Sequence, residues 1–350
     1  MRIAFLDSWL QHVAEGSGTA AAIGGLGRAL RAHGHHVARI APPVAWPANL
    51  TLRRLLFNLY VPALLRTLPY DLIVGVDIDG VFVAGRVTTP YVCSIKGVIA
   101  EELQHERGNV RRLLWLLSRL ERMNARQSPL IITTSNYCRQ SIHRHYGVPP
   151  ERIRLVPEGI DLTQWPAPAA RDGGQTILCV ARQYPRKHIA DLIRAFAQVR
   201  QRLPDARLVI VGDGPEHANL KTLARTLGLG ASCQLLGALP SDDEVRSWYY
   251  RADLFCLPSV QEGFGIVFLE AMAAGLPIVA TTAAAIPEVV PHGKAGLLVP
   301  PADVTALADA LTTLLGDEPL RRRYGSFERD YVAQFDWMRV AEQFLAVTRG

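Results

Sequence analysis

Short apolar runs recur along the chain, each followed by a turn of small or polar residues and then by a longer amphipathic stretch. In the first half they fall at 2–6, 37–40, 72–76, 90–95, 130–133 and 153–156. In the second half they fall at 177–181, 207–211, 233–236, 254–257 and 278–280. Runs of this length, most of them without a polar interruption, read as buried strands, with the intervening segments as helices that cover them. Such alternation predicts an α/β chain built on doubly wound parallel sheets. Helices are expected over about 20–32, 50–68, 107–126 and 137–146. Another runs from Gly265 to a stop at Gly275 and Pro277, and a last amphipathic one covers 338–347 with Trp337 at its start. Residues 163–174 are rich in Pro, Ala and Gly, show no period, and mark a linker.

At 350 residues the chain is long for one core, and its 49% hydrophobic content can fill two. No stretch approaches the roughly 18 uncharged apolar residues of a membrane span. The first residues, Met1 to Asp7, form a short strand ending in an acid and do not read as a secretion signal. Cys93, Cys138, Cys179, Cys233 and Cys256 are odd in number, far apart and mostly inside apolar runs. They read as buried free thiols, which with the missing signal points to the cytoplasm. The net charge of +6 is spread along the chain with no nucleic-acid motif, so nucleic acid is not an expected partner. An anionic substrate, an acidic membrane surface and plain solubility each account for it.

The richest chemistry follows the run at 254–257. Pro258-Ser259-Val260-Gln261-Glu262-Gly263-Phe264-Gly265 is a glycine turn, and Ile266 opens a helix that carries Glu270 among apolar neighbours. Glycines let the backbone approach a ligand, and a new helix presents unpaired N–H groups to an anion. A carboxylate among apolar residues needs a partner; a wet stripe on the helix and a hydroxyl-bearing ligand both satisfy that. Glu262 and Glu270, with the Glu-Ala-Met-Ala and Gly-Leu-Pro that follow, resemble the paired-glutamate motif of the family 4 retaining glycosyltransferases (glycosyl transferases group 1, GT-B fold).

The resemblance implies two Rossmann-like domains facing a central cleft. The N-terminal, acceptor-side domain covers 1–162 and the donor domain 163–334, and a final helix, about 335–350, crosses back to the first. It implies transfer of a sugar from a UDP-, GDP- or ADP-linked donor to a hydroxyl acceptor (glycan, lipid or small molecule) with retention, and no permanently bound cofactor. Arg182 and Lys187 match the family's basic pair for the donor diphosphate, in place of a metal; no acidic cluster with metal-like spacing is evident. Glu262 then meets the sugar and Glu270 the ribose. Gly263, Phe264, Gly265 and Ile266 lie against sugar and phosphate, and Gly212, Leu236 and Gly237 line the base pocket. The loop Gly16-Ser17-Gly18 falls where the family carries a glycine pair near phosphate. The likeness is strong from Gln175 to about Gly316 and looser before it.

Two departures stand out. Lys96 occupies the place where many members carry a His near the reacting sugar, and a lysine there is a fixed charge rather than an imidazole. Glu158, in Pro157-Glu158-Gly159-Ile160-Asp161, replaces an Asn of the family's run. Asp77 and Asp79 end a strand and Glu101 follows Lys96; these are acceptor-side candidates, with a capped turn as the alternative for the aspartates. Gly24-Gly25, inside the first helix, reads as close packing of helix on strand. The segments 50–68 and 107–126 alternate Leu with Arg; they read as packing helices with solvated outer faces, or as faces for anionic lipid at the inner membrane surface. Another GT-B activity, such as a sugar-nucleotide epimerase or a phosphorylase, and a non-catalytic sugar-nucleotide-binding subunit remain open alternatives.

Overall fold

A computed structural model of the chain describes residues 1–8, 18–43, 49–66, 69–166 and 174–349. In chain order the first elements are β1 (Arg2–Leu6), α1 (Gly18–Ala32), β2 (His36–Ile40), α2 (Leu50–Leu65), β3 (Leu72–Val76) and β4 (Tyr91–Ile95). They continue with α3 (Ile99–Glu102), α4 (Gly108–Gln127), β5 (Leu130–Thr133), α5 (Asn136–Tyr146) and β6 (Ile153–Leu155). The second half holds β7 (Thr176–Val180), α6 (Ile189–Arg202), β8 (Arg207–Val211), α7 (His217–Thr226), β9 (Cys233–Gly237) and α8 (Asp242–Arg251). After these come β10 (Leu254–Leu257), α9 (Ile266–Ala273), β11 (Ile278–Thr281), α10 (Ile286–Val289) and β12 (Gly296–Val299). The chain ends with α11 (Val304–Gly316), α12 (Glu318–Val332) and α13 (Trp337–Thr348).

Two compact units result, Met1–Gly159 with Phe335–Gly350, and Ile160–Gln334. Among the described residues each unit holds one six-stranded parallel sheet, ordered β2-β1-β3-β4-β5-β6 and β12-β11-β10-β7-β8-β9. The strand order reverses between β1 and β3 in the first sheet and between β10 and β7 in the second. In open parallel sheets ligands gather at the carboxyl ends of the strands flanking such a reversal.

The inner strands, such as β3 Leu-Ile-Val-Gly-Val and β10 Leu-Phe-Cys-Leu, are buried along their whole length, whereas the edge strands β2 and β9 are mostly half-buried. Each such aliphatic side chain contributes roughly 1.5–3 kcal/mol by leaving water. Helix ends follow ordinary capping chemistry. Ser135 accepts from the Cys138 N–H at the start of α5, and Gly147 closes that helix in the left-handed region (φ 65°). All five cysteines are buried free thiols.

Three features differ from the sequence reading. The pattern predicts eleven strands, and the twelfth is β12. It is short and ends at Pro300, and its register against β11 requires Gly296: a Cβ there would lie 1.9 Å from the Ile278 carbonyl oxygen.

The second difference is Gly25. What crowds it most closely is a helix residue. A Cβ on it would fall 2.2 Å from the indole of Trp337, at the start of α13, and one on Gly159 would meet the same ring at 2.5 Å. Trp337 is thus held between two glycines of the first unit, and α13 lies along α1.

The third is α2, whose apolar residues divide between two faces: Phe57, Val61 and Leu65 are buried in the core. Leu52, Leu56 and Leu59 are exposed, whereas Arg53 and Arg54 are buried. Arg53 donates to the Pro42 carbonyl, and Arg54 faces Asp77 and Asp79. The buried carboxylates at the strand ends hold Arg54 on the inner face beside the apolar residues.

Gly25→Ala is expected to cost about 1–3 kcal/mol through overpacking against Trp337. Urea denaturation should show the loss, and the same substitution should cost less in a Trp337→Phe background. Equal costs in the two backgrounds would refute the clamp.

Candidate active site

In the second unit, the loops after β7 and β10 flank the strand reversal. The loop after β7 carries Arg182, Tyr184, Arg186 and Lys187. Its Arg186 carbonyl accepts from the Val260 N–H at 3.0 Å, which ties it to the loop after β10. The Lys187 ammonium forms an ion pair with Glu262 Oε1. Ser259 donates to the same oxygen at 2.8 Å, and Thr281 holds the Ser259 carbonyl at 2.6 Å. Both partners of the pair are largely withdrawn from water, where a charge-assisted bond is strong and a lone charge costly. Arg182 is exposed, with its guanidinium 5.8 Å from the Tyr184 ring.

Gly265 opens α9 with φ 93°, and a Cβ there would strike the Phe268 ring at 2.6 Å. Only glycine meets both demands at once. Phe268 packs edge-on to Phe255 of β10, Phe255 stacks on Tyr249 of α8, and the Tyr249 hydroxyl donates to Glu270 Oε2 at 2.6 Å. Burial pushes the Glu270 carboxyl above its usual range, against the opposing pull of that hydrogen bond. Glu270 as a residue is half-buried, with its carboxyl group turned to Tyr249. Phe264 is buried, while Gly263 and Ile266 are half-buried at the mouth of the helix. Gly212 and Gly237 lie side by side at the ends of β8 and β9, the Gly212 N–H donating to the Gly237 carbonyl at 2.8 Å, with Leu236 half-buried beside them.

In the first unit, Gly16 and Ser17 lie outside the described residues, and Gly18 is the first residue of α1. The turn after β3 is bound from several sides. Asp79 is fully buried and accepts from the Ser8 N–H and hydroxyl at 2.8 and 2.7 Å and from Asn58 at 3.1 Å. The Asn58 side-chain oxygen in turn accepts from the Gly80 N–H at 2.7 Å. From α4, Asn124 donates to the Asp77 carbonyl at 2.8 Å. The carboxylate of Asp79 thus braces the turn, as the capped-turn alternative expects. Asp77 is 6% exposed and sits at φ 54°; its Oδ1 accepts from the Lys96 N–H at 3.4 Å. Burial pushes its carboxyl up to about 6, with Arg54 pulling the other way.

Lys96, the residue after β4, pairs with Glu158 Oε1 at 2.9 Å. Glu101 is also turned inward, bound by Ser141 at 2.8 Å and His145 at 3.0 Å. Burial pushes Glu101 up, but these hydrogen bonds outweigh it and leave the carboxyl below its usual range. Glu121 of α4 accepts from the Ile99 N–H at 3.0 Å and from the Tyr146 hydroxyl, which fixes the segment after Lys96.

The residues are thus brought together in two sets. Lys187 and Glu262 touch, with Glu270 a short way along the same turn and helix; Lys96, Asp77 and Glu158 form the second set. Sequence reasoning missed Tyr249 and Ser259, whose roles have no motif, and Arg54 and Asn58, which sit in a helix of leucines.

The raised Asp77 value has a stability consequence. Its contribution is fully present below the unfolded value of 3.8 and is lost as pH rises through about 6. Between about pH 4 and 7 the melting temperature of the wild type should fall relative to Asp77→Asn, which keeps the left-handed backbone accessible, by the equivalent of about 3 kcal/mol. Parallel pH profiles for the two proteins would count against it.

Comparisons with known proteins give the family and the fold. The Glycosyltransferase Family 4 model matches residues 16–164, and the Glycosyl transferases group 1 model matches 163–330. A GDP-mannose-dependent alpha-(1-6)-phosphatidylinositol monomannoside mannosyltransferase of Mycobacterium tuberculosis is 34% identical over 239 residues, 63% of this chain and 62% of that protein. An MMP alpha-(1->4)-mannosyltransferase of Mycolicibacterium hassiacum is 35% identical over 231 residues, 65% of this chain and 56% of the relative. The chain therefore spans less than two thirds of either relative. In fold it is similar to sucrose-phosphate synthase from Thermosynechococcus elongatus, with TM-score 0.83, 23% identity and coverage of 99% and 98% of the two chains. It is also similar to WaaG, a glycosyltransferase involved in lipopolysaccharide biosynthesis, with TM-score 0.78, 22% identity and coverage of 99% and 100%. With one model over each half of its length, the chain belongs to the glycosyltransferase family 4, group 1, and has the GT-B fold.

Proposed function

We propose that this chain is a retaining, metal-independent glycosyltransferase that moves a sugar from a nucleoside diphosphate sugar to a hydroxyl acceptor. The observation that carries the reading is the Lys187–Glu262 pair at the strand reversal of the second unit, with Glu270 on the helix that follows. Cleavage of the donor leaves a diphosphate on which negative charge develops. Lys187 and the exposed Arg182 supply fixed cations for that charge, and α9 offers N–H groups at its start. Among the described residues no three His, Cys, Asp or Glu side chains gather as metal ligands do. Glu262 accepts from hydroxyls of the sugar, and Glu270, oriented by Tyr249, from those of the ribose. The glycosidic C–O bond to phosphate breaks as the acceptor oxygen bonds to the same face of the carbon, and the leaving phosphate oxygen takes the acceptor's proton. No enzyme nucleophile enters that balance.

The names of the relatives point to GDP-mannose as the first donor to test and to a phosphatidylinositol-type lipid as the first acceptor. Two helices of the first unit suit a lipid surface. On α4, Arg112, Trp115, Leu116 and Arg119 share the exposed face, with Arg119 4.7 Å over the Trp115 ring. On α2 the exposed leucines form a second apolar face. Apolar anchors beside arginines bind anionic headgroups peripherally, and among the described residues no helix is long and apolar enough to cross a membrane.

Lys187→Ala, Glu262→Gln and Glu270→Ala should each lower transfer on the order of 10²–10³-fold while the protein stays folded, and EDTA should leave transfer intact. Thermal shifts with GDP, UDP and ADP will identify the base, because a ligand of the folded form raises the melting temperature. Three fully active variants, or loss of activity with EDTA, would overturn this site.

Cosedimentation with phosphatidylglycerol-containing vesicles tests the lipid surface. Binding should occur at low salt, weaken as salt rises, and fall sharply in Trp115→Ser/Leu116→Ser. Binding unaffected by that double substitution removes α4 from the surface.

A further inference from the structure

Gln183 follows the exposed Arg182 in the loop after β7, yet it is fully buried. A buried polar residue needs hydrogen-bond partners. Each of the four polar groups of Gln183 finds one in a single segment, residues 212–217, which runs from the end of β8 to the start of α7. Its N–H donates to the Asp213 carbonyl at 3.0 Å, and its carbonyl accepts from the Glu216 N–H at 3.1 Å. Its side-chain Nε2 donates to the Gly212 carbonyl, and its Oε1 accepts from His217 Nδ1 at 2.9 Å. The pattern fixes both orientations. A carbonyl only accepts, so the amide nitrogen faces Gly212, and the amide oxygen then requires the His217 proton on Nδ1. The fit is close: a Cβ on Gly214 would lie 2.7 Å from the Gln183 nitrogen.

What Gln183 holds is the backbone at Gly212. Gly212 (φ 116°) and Gly237 (φ 75°) face one another in conformations that side chains disfavour. Gly212 is gripped from two sides, its N–H by the Gly237 carbonyl and its own carbonyl by Gln183. Beside it β9 carries a bulge: Ile210 stands opposite Leu235 and Val211 opposite Gly237, which leaves Leu236 as the extra residue. A Cβ on Gly237 would meet nothing within 4 Å, so the backbone there borders open space. Neighbouring strands lie about 4.8 Å apart, so β8 and β9 end roughly 5 and 10 Å along the sheet edge from β7, the reach of a nucleoside from its diphosphate.

We infer that the Gln183 side chain, fixed by His217, is a positioning residue for the base of the donor nucleotide. The base lies against the Gly212–Gly237 backbone and the bulged Leu236, and the amide keeps that backbone at a set spacing from Arg182, the residue next to Gln183. The inference rests on the proposed transferase reading, in which Arg182 meets the diphosphate.

The test is binding of GDP, UDP and ADP to the full chain by calorimetry. Gln183→Leu nearly keeps the volume and both main-chain hydrogen bonds, and it strips the Gly212 carbonyl of its donor. The nucleotide that the wild type prefers should bind this variant on the order of 10–100-fold more weakly, and its lead over the other two should shrink. Lys187→Ala, a change at the phosphate end, should instead weaken all three by one factor. His217→Leu should give a smaller loss of the same kind as Gln183→Leu. Combined with Gln183→Leu it should add nothing, because it acts only through the amide. His217→Leu also decides the case if Gln183→Leu does not fold. A preference unchanged in either folded variant, or a loss shared equally by the three nucleotides, overturns the role. So does a wild type that binds the three equally, since no base is then read. A wild type that binds none of them overturns the transferase reading itself.

Discussion

A carboxylate buried at the carboxyl edge of a parallel sheet must find a cation or a set of donors, and this requirement shapes both units. Helices cover the faces of each sheet, so polar chemistry is confined to the strand ends. There Asp79 draws in Ser8, Asn58 and Arg54, Glu158 draws in Lys96, and Glu262 draws in Lys187 and Ser259. Each pairing bridges segments far apart in sequence and fixes the loops between them. Removing one member would strand the other in a medium that solvates it poorly. The loops of the proposed site are therefore rigid for the same reason that they are charged.

The parallel sheets were legible because period and composition agree: runs of Val, Ile and Leu with no polar interruption have few alternatives to a strand buried on both faces. β12 escaped because four residues between a glycine and a proline carry too little pattern. The Glu262–Glu270 stretch was legible because a strand, a glycine turn and a helix follow one another within a few residues, so the chemistry is local. Lys96–Glu158 and Glu270–Tyr249 were not, because each joins elements whose neighbourhood is set by strand order. Gly25 was legible as a close contact but not as a contact with Trp337, since its partner lies at the far end of the chain.

Helix α2 shows where hydrophobic pattern shares a face with charge. An apolar stripe ordinarily faces inward because each buried side chain gains a few kcal/mol there. Here Phe57, Val61 and Leu65 do so, while Arg53 and Arg54 join them on the inner face and the leucines at 52, 56 and 59 are left outside. Arg54 is drawn in because two buried aspartates at one turn, left unpaired, would be costly.

Two helices of the first unit, α2 and α4, brace one turn. The inner face of α2 holds the turn at Asp77–Gly80 through Arg54 and Asn58, and the inner face of α4 holds it through Asn124 and the segment after Lys96 through Glu121. Beside these anchors both inner faces are apolar, with Phe57, Val61 and Leu65 of α2 and Leu117 and Ala125 of α4 buried. The packing that buries the two helices therefore also sets the position of the turn, because its polar anchors ride on the same faces.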